Sequence, residues 1–172
     1  VLPALNAKGA VRMRPIATSD TAVHDYCSYR GLLVLSGVSA SAAKGDRHII
    51  RSDDGKAAVW VGTADDLWQL GKPRGFGGPW KNSDVTAGKP SDPYLMTGYD
   101  KKTLVLENKG AAETTITVEL DAAGDGRFAA FQSFKLAPGA KETFEFPHWI
   151  NAYWVRTVSS ATTNATAQLT YE

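Results

Sequence analysis

Cysteine is almost absent: Cys27 is the single one in 172 residues. That excludes an internal disulfide and any Cys-rich zinc site. Long apolar runs are missing as well, and none approaches the ~20 residues of a membrane span. Neither sign of charge is in excess. With 19 Lys+Arg against 18 Asp+Glu, the net charge of +1 gives no overall pull toward nucleic acid or an anionic membrane. Histidine is scarce. His24, His48 and His148 show no metal-ligand spacing, and a zinc or copper site would need three distant segments. No metal and no cofactor is therefore expected. Glutamate is missing from residues 1–91, which carry 12 Lys+Arg and 8 Asp, whereas residues 92–172 carry 7 Lys+Arg and 10 Asp+Glu. The shift coincides with Lys89-Pro90-Ser91-Asp92-Pro93, turn-forming residues that predict a boundary between a segment 1–91 and a domain 92–172. The chain begins Val-Leu-Pro with no basic stretch leading into an apolar one, so it reads as a processed chain or a piece of something longer.

What is present is strand. Residues 103–107 alternate with Leu104 and Leu106 on one face. Residues 115–120 alternate with Ile116, Val118 and Leu120 inward. Asn108-Lys109-Gly110 between them is turn chemistry. An aromatic strand around Phe128, Phe131 and Phe134 follows, then KETFEF (141–146) with Phe144 and Phe146 inward, then strands over 152–158 and 165–171. Six or seven short strands with turns every 8–12 residues predict an all-β fold. The C-terminal half reads as an antiparallel immunoglobulin- or fibronectin-like β-sandwich.

The first half reads as β-hairpins of a second sheet assembly. Residues 11–16 and 29–38 are strand candidates, and the unbroken Leu32-Leu33-Val34-Leu35 suits a strand buried on both faces. Cys27, at the entrance of that strand, is expected to be mostly buried. His48–Arg51 and Ala57–Gly62 flank a turn, Ser52-Asp53-Asp54-Gly55-Lys56. Asp65–Leu70 forms a strand or a short helical turn capped by Asp65. Residues 71–93, rich in Gly and Pro, read as a long irregular loop carrying Phe76 and Trp80.

Two resemblances follow from these residues. Ser52, Asp54, Gly55 and Trp60 resemble the Asp-box hairpin of sialidase-like β-propellers, with Gly55 one residue early. There the Asp ties its own turn and stays away from the active site. The run from RPIATSD (14–20) through VHDYCSYRGLLVLSG (23–37), RSDDGKAAVWVGTADDLWQLGKPRGFGGPW (51–80) and SDPYLMTGYDKKTLVL (91–106) to YWVR (153–156) resembles the C-terminal region of large secreted propeller-type bacterial and fungal proteins. Their surroundings point to polysaccharide processing. The resemblance implies an extracellular location, a larger sheet assembly ending within residues 1–91, and an appended sandwich. It carries over no catalytic residue.

Aromatic residues are the richest chemical feature, because sugar rings stack their C–H faces on indole. Trp60 and Trp154 lie on predicted strands and read as core. Trp68 and Trp80, near the Gly-rich loop, and Trp149, after Pro147-His148, are the candidate ligand contacts, with Lys72 and Arg74 as donors. Trp80 and Phe76 have a competing place, folded under the loop as a plug. Asp65 and Asp66 are the candidate catalytic carboxylates. Neighbours on a strand face opposite ways, so either would need a remote partner such as Asp53, Asp54 or Asp92. Asp121-Ala-Ala-Gly-Asp-Gly126 is a faint calcium loop, without an EF-hand's acidic third position or terminal Glu. Arg12, Arg14, Arg30, Arg47, Arg51 and Arg74 are candidate grips for acidic sugars. Asn164-Ala165-Thr166 is a glycosylation sequon.

Three functions are compatible with this. The first is a non-catalytic carbohydrate-associated module binding an oligo- or polysaccharide through loop aromatics. It requires Trp68, Trp80 and Trp149 to be exposed together. The second is a structural or oligomerisation module packing on an upstream domain or a second copy, which requires a large apolar face on residues 1–91. The third is part of a glycoside hydrolase or lyase, which requires paired carboxylates in a cleft.

Overall fold

The computed structural model describes residues 14–19, 22–39, 41 and 45–172. The chain is all-β, with three four-stranded sheets whose strand pairs are antiparallel. It divides into two compact units, Ile16–Lys72 and Pro73–Glu172, the second also taking residues 14–15. Among the described residues no helix is long and apolar enough to cross a membrane. Of the strand candidate 11–16, residues 11–13 lie outside the described residues and 14–16 form no strand.

The first unit is built from strands β1 (Tyr26–Tyr29), β2 (Leu32–Leu35), β3 (Ile49–Arg51) and β4 (Ala58–Gly62), in the order β1-β2-β4-β3. A 3-10 helix, Asp65–Leu70, follows. The expected strand 29–38 is broken at Arg30-Gly31. Both residues have positive φ (50° and 83°), so they form a two-residue hairpin turn whose twist matches that of the strands. The turn between β3 and β4 is held as expected. Asp54 accepts from Ser52 Oγ (2.6 Å) and from the Lys56 amide (3.1 Å), and Ser52 Oγ accepts from the Ala57 amide. Leu35, Val38 and Trp60 form a small core, joined by Leu33, Ile49, Ala58, Leu67 and Leu70.

Two expectations fail in this unit, for one reason. β1 is an edge strand, and among the described residues the core of the unit lies on one face of the sheet. Cys27 is exposed rather than buried. Along Leu32–Leu35 only Leu35 is buried, because Leu32 and Val34 point to the opposite face.

The second unit contains β5 (Gly75–Val85), β6 (Tyr94–Leu95), β7 (Lys102–Asn108), β8 (Thr114–Asp121), β9 (Ala129–Leu136), β10 (Lys141–Glu145), β11 (Trp154–Ser159) and β12 (Thr163–Tyr171). They form two sheets, β10-β7-β12-β5 and β6-β11-β8-β9. The sandwich is as expected, but its winding is not that of an immunoglobulin domain. β5 pairs with β12, β6 with β11, β7 with β10 and β8 with β9. These nested pairs, split between two sheets, are a jelly roll, a hairpin rolled up along its length. The core between the sheets holds Leu104, Leu106, Ile116, Val118, Val155 and Leu169 among others. Phe146 is buried. Phe144 is only half-buried, edge-on to Phe131, Phe134 and Phe146.

The predicted loop 71–93 and the predicted boundary at residue 91 are both corrected here. Residues 75–85 are a strand on β12, so the change of unit falls between Lys72 and Pro73. Glycine hid this strand. A Cβ on Gly78 would lie 2.1 Å from the Ala167 carbonyl oxygen, so the close approach of β5 to β12 excludes a side chain there.

Buried polar groups are tied. Asn108 donates through Nδ2 to the carbonyls of Ala112 and Leu136 and accepts through Oδ1 from the Gly110 amide and Thr163 Oγ1. Tyr94, Tyr99 and Tyr171 form a buried cluster. The Tyr99 and Tyr171 rings stack at 4.1 Å, and the Tyr171 hydroxyl donates to the Leu95 carbonyl. Burial pushes all three phenols above their ordinary range. Folded tyrosines then hold their protons at a pH where the unfolded chain, near ~10, releases them. Their contribution is intact below ~10 and is lost as pH rises further. Buried Lys102 works the other way, since burial lowers its ammonium and alkali relieves that cost. One lysine against three phenols leaves stability falling above pH ~10. In an alkaline titration Tyr94, Tyr99 and Tyr171 are expected to ionise only as circular dichroism reports unfolding. Reversible ionisation of these three with structure intact would refute the cluster.

Candidate functional site

Of the two carboxylates singled out in the sequence, Asp66 is engaged by the fold. Asp65 does not cap the 3-10 helix, which has no side-chain cap bond. Asp66 instead reaches back to Thr63, accepting from its amide and its hydroxyl at 2.7 Å each, and lies 3.8 Å from His48 Nε2. The Thr63 amide, then its hydroxyl, holds the Asp66 carboxyl below its ordinary range. A carboxylate held ionised in this way has no proton to give as a general acid. His48 donates through Nδ1 to the Val61 carbonyl (3.0 Å) and stacks on Trp60. The group braces the start of the helix against the sheet.

The faint calcium loop has a similar explanation. Asp121 is fully buried. Its Oδ1 accepts from the Gly124 and Asp125 amides, and its Oδ2 from the Gly126 amide. Backbone N–H groups occupy the positions that a cation would need. Among the described residues no three His, Cys, Asp or Glu side chains gather as metal ligands.

The predicted aromatic set is dispersed. Trp60 and Trp154 are core, as expected. Trp80 is 6% exposed and belongs to the jelly-roll core, so its ring is not open to a ligand. Trp68 (63% exposed) and Lys72 lie in the first unit; Trp149 (68% exposed) and Arg74 lie in the second. Of the arginines, Arg12 lies outside the described residues. Arg30, Arg47 and Arg51 belong to the first unit, Arg14 and Arg74 to the second. The sequon is engaged within the sheet. Asn164 Nδ2 donates to Asp84 (2.9 Å) and to the Asn82 carbonyl, and Thr166 Oγ1 donates to Asn82 Oδ1. A cavity in the first unit, lined by Leu35, Val38, Ile49, Trp60 and Leu70, measures about 30 Å³. That is room for a water or two, not for a sugar.

What sequence reading missed is Phe76. It is 81% exposed and stands on β5 opposite Thr170. Its row continues through Thr103 to Glu145. All four lie on the outer face of the sheet, because their neighbours Lys102, Leu104, Leu169, Tyr171 and Phe146 point inward. At the same end of this sheet the chain leaves β10 and turns through Pro147–Ile150. Lys102 Nζ holds the turn through the Ile150 carbonyl at 3.3 Å, and Trp149 projects from it. Two bare rings thus stand at opposite edges of one sheet end. Between them lie two threonine hydroxyls and Glu145, which is 3.8 Å from Lys101 Nζ. The edges are three strand spacings apart, about 14 Å. A strand pattern at 74–80 was the available signal, but three glycines erased its alternation. No protein-family model matches this chain, and a search of curated proteins finds no match.

Proposed function

We propose that the chain is a non-catalytic carbohydrate-binding module of a secreted polysaccharide-processing protein. The observation that carries this is the pairing of Phe76 and Trp149 at one end of the jelly-roll sheet. Both rings are open to solvent, with hydroxyl and carboxylate groups in the row between them. Rings supply stacking surface, and Thr103, Thr170 and Glu145 supply donors and acceptors, the mixture that a saccharide site needs. Jelly rolls also serve as lectin domains, which supports the reading by analogy of fold alone. The hydrolase reading loses its support. Asp66, one of its two carboxylates, is bound to Thr63 and held ionised.

Native affinity gels containing soluble neutral polysaccharides, such as a mixed-linkage glucan, a xylan and a mannan, test the proposal. The parent should be retarded on at least one. Phe76→Ala and Trp149→Ala should each abolish retardation while keeping stability within about 1 kcal/mol, as exposed substitutions do. Free migration of the parent on every gel overturns the reading.

A further inference from the structure

The row that joins the two bare rings has a period. Phe76, Thr170, Thr103 and Glu145 stand side by side on β5, β12, β7 and β10, one from each strand and all on the outer face. Each is one strand spacing, about 4.8 Å, from the next. Trp149 follows Glu145, in the turn that leaves β10. The polar groups of the row are also open to a ligand. Further along β12 the outward polar side chains are taken up within the sheet. Thr166 Oγ1 donates to Asn82 Oδ1, and Gln168 Nε2 donates to the Trp80 carbonyl. Among the described residues, the Thr103 and Thr170 hydroxyls have no such partner. Glu145 faces the Lys101 ammonium at 3.8 Å, and both side chains are at least half exposed.

We propose that the row binds an extended β-linked polysaccharide backbone, of the cellulose, xylan or mannan type, laid across the strands with one sugar to each. The inference rests on the carbohydrate-binding reading and names the class of chain. Each sugar of such a backbone advances by close to one strand spacing, so the chain keeps step with the sheet. One sugar stacks on Phe76, the next two offer hydroxyls to Thr170 and Thr103, and a fourth reaches Glu145 before the chain meets Trp149. An α-linked glucan coils, and its sugars fall out of step within the row. A disaccharide covers one ring only. A chain long enough for both rings gains its second stack without a second loss of translational freedom.

Calorimetric titration of the whole chain with cello-, xylo- and manno-oligosaccharides two to six sugars long tests this. In the series matching a polysaccharide that retards the protein, affinity should rise at least about tenfold between the disaccharide and the pentasaccharide, then level off. Phe76→Ala should remove the rise. Thr103→Val keeps the shape and loses the hydroxyl. It should weaken pentasaccharide binding about three- to tenfold and leave the melting temperature unchanged. Malto-oligosaccharides should bind more weakly at every length. A protein that a polysaccharide retards but that is indifferent to oligosaccharide length overturns the inference and leaves the carbohydrate-binding reading standing. So does a rise that survives Phe76→Ala, or equal affinity for malto-oligosaccharides. A protein that no polysaccharide retards overturns both.

Discussion

Gly78→Ala is expected to abolish cooperative folding of the jelly roll. A Cβ at this position would lie 2.1 Å from the Ala167 carbonyl oxygen and 2.7 Å from the Gln168 Cα. Both are backbone atoms of β12, so no side-chain rotation relieves the clash. Nor can β12 move away, because it is paired along its length with β7 on the other side, from Ala165 opposite Asn108 to Tyr171 opposite Lys102. Separation is therefore the remaining route: β5 leaves the sheet and withdraws Trp80 and Val85 from the core. Such backbone overlap belongs with the rare substitutions costing about 4 kcal/mol or more. Gly139→Ala is the control. It has positive φ (71°) and nothing within 4 Å of an added Cβ, so it bears only the local strain of about 1–2 kcal/mol. Urea unfolding of the two variants separates them. A Gly78→Ala protein melting within a few degrees of the parent would show that β5 is not seated on β12 in this register.

Where alternation is carried by large side chains, the strands were legible. β7 and β8 alternate Leu, Val and Ile with polar residues, and both fold as read, because their faces meet core on one side and solvent on the other. The hairpin from Ile49 to Gly62 was legible from its turn, where Ser52 and Asp54 bond their own backbone in place of a longer loop. β5 was not. Gly75, Gly77 and Gly78 have no side chains to show a period, and Pro79 looked like a loop residue. The fact that makes this segment a strand is its pairing with residues nearly 90 positions later. The same long-range pairing made the jelly roll invisible, since alternating strands are alike in every sandwich and the winding alone differs. The exposed face of the first unit was half legible. Leu32–Leu35 read as a strand buried on both faces, yet only Leu35 is buried, because a continuous apolar run does not say which face the core takes. For the candidate site, Trp149 was read as an open aromatic and is exposed, whereas Phe76 was misplaced, because assigning Phe76 outward and Trp80 inward needs the shift in register between Ala167 and Leu169.

Trp80→Ala tests that assignment directly. The indole is 6% exposed and packs in the core that also holds Val85, Tyr94 and Met96. Its carbonyl accepts from Gln168 Nε2 at 2.7 Å, which fixes the strand on both sides of the bulge. Truncation removes the largest apolar side chain at this edge of the sandwich and leaves a hole that flanking strands cannot close. A cost of about 3–5 kcal/mol is expected. For a unit of this size it lowers the melting temperature by roughly 15–30 °C. Trp68→Ala and Trp149→Ala, whose rings are largely in water, are expected to change stability by less than about 1 kcal/mol. Carbohydrate retention should divide the three differently. Measured well below its lowered melting point, Trp80→Ala should still be retarded on a gel that retards the parent, because the bare ring of the site is Phe76. If Trp80→Ala instead melts with the parent and migrates freely, the indole is the stacking surface, and Phe76 changes places with it.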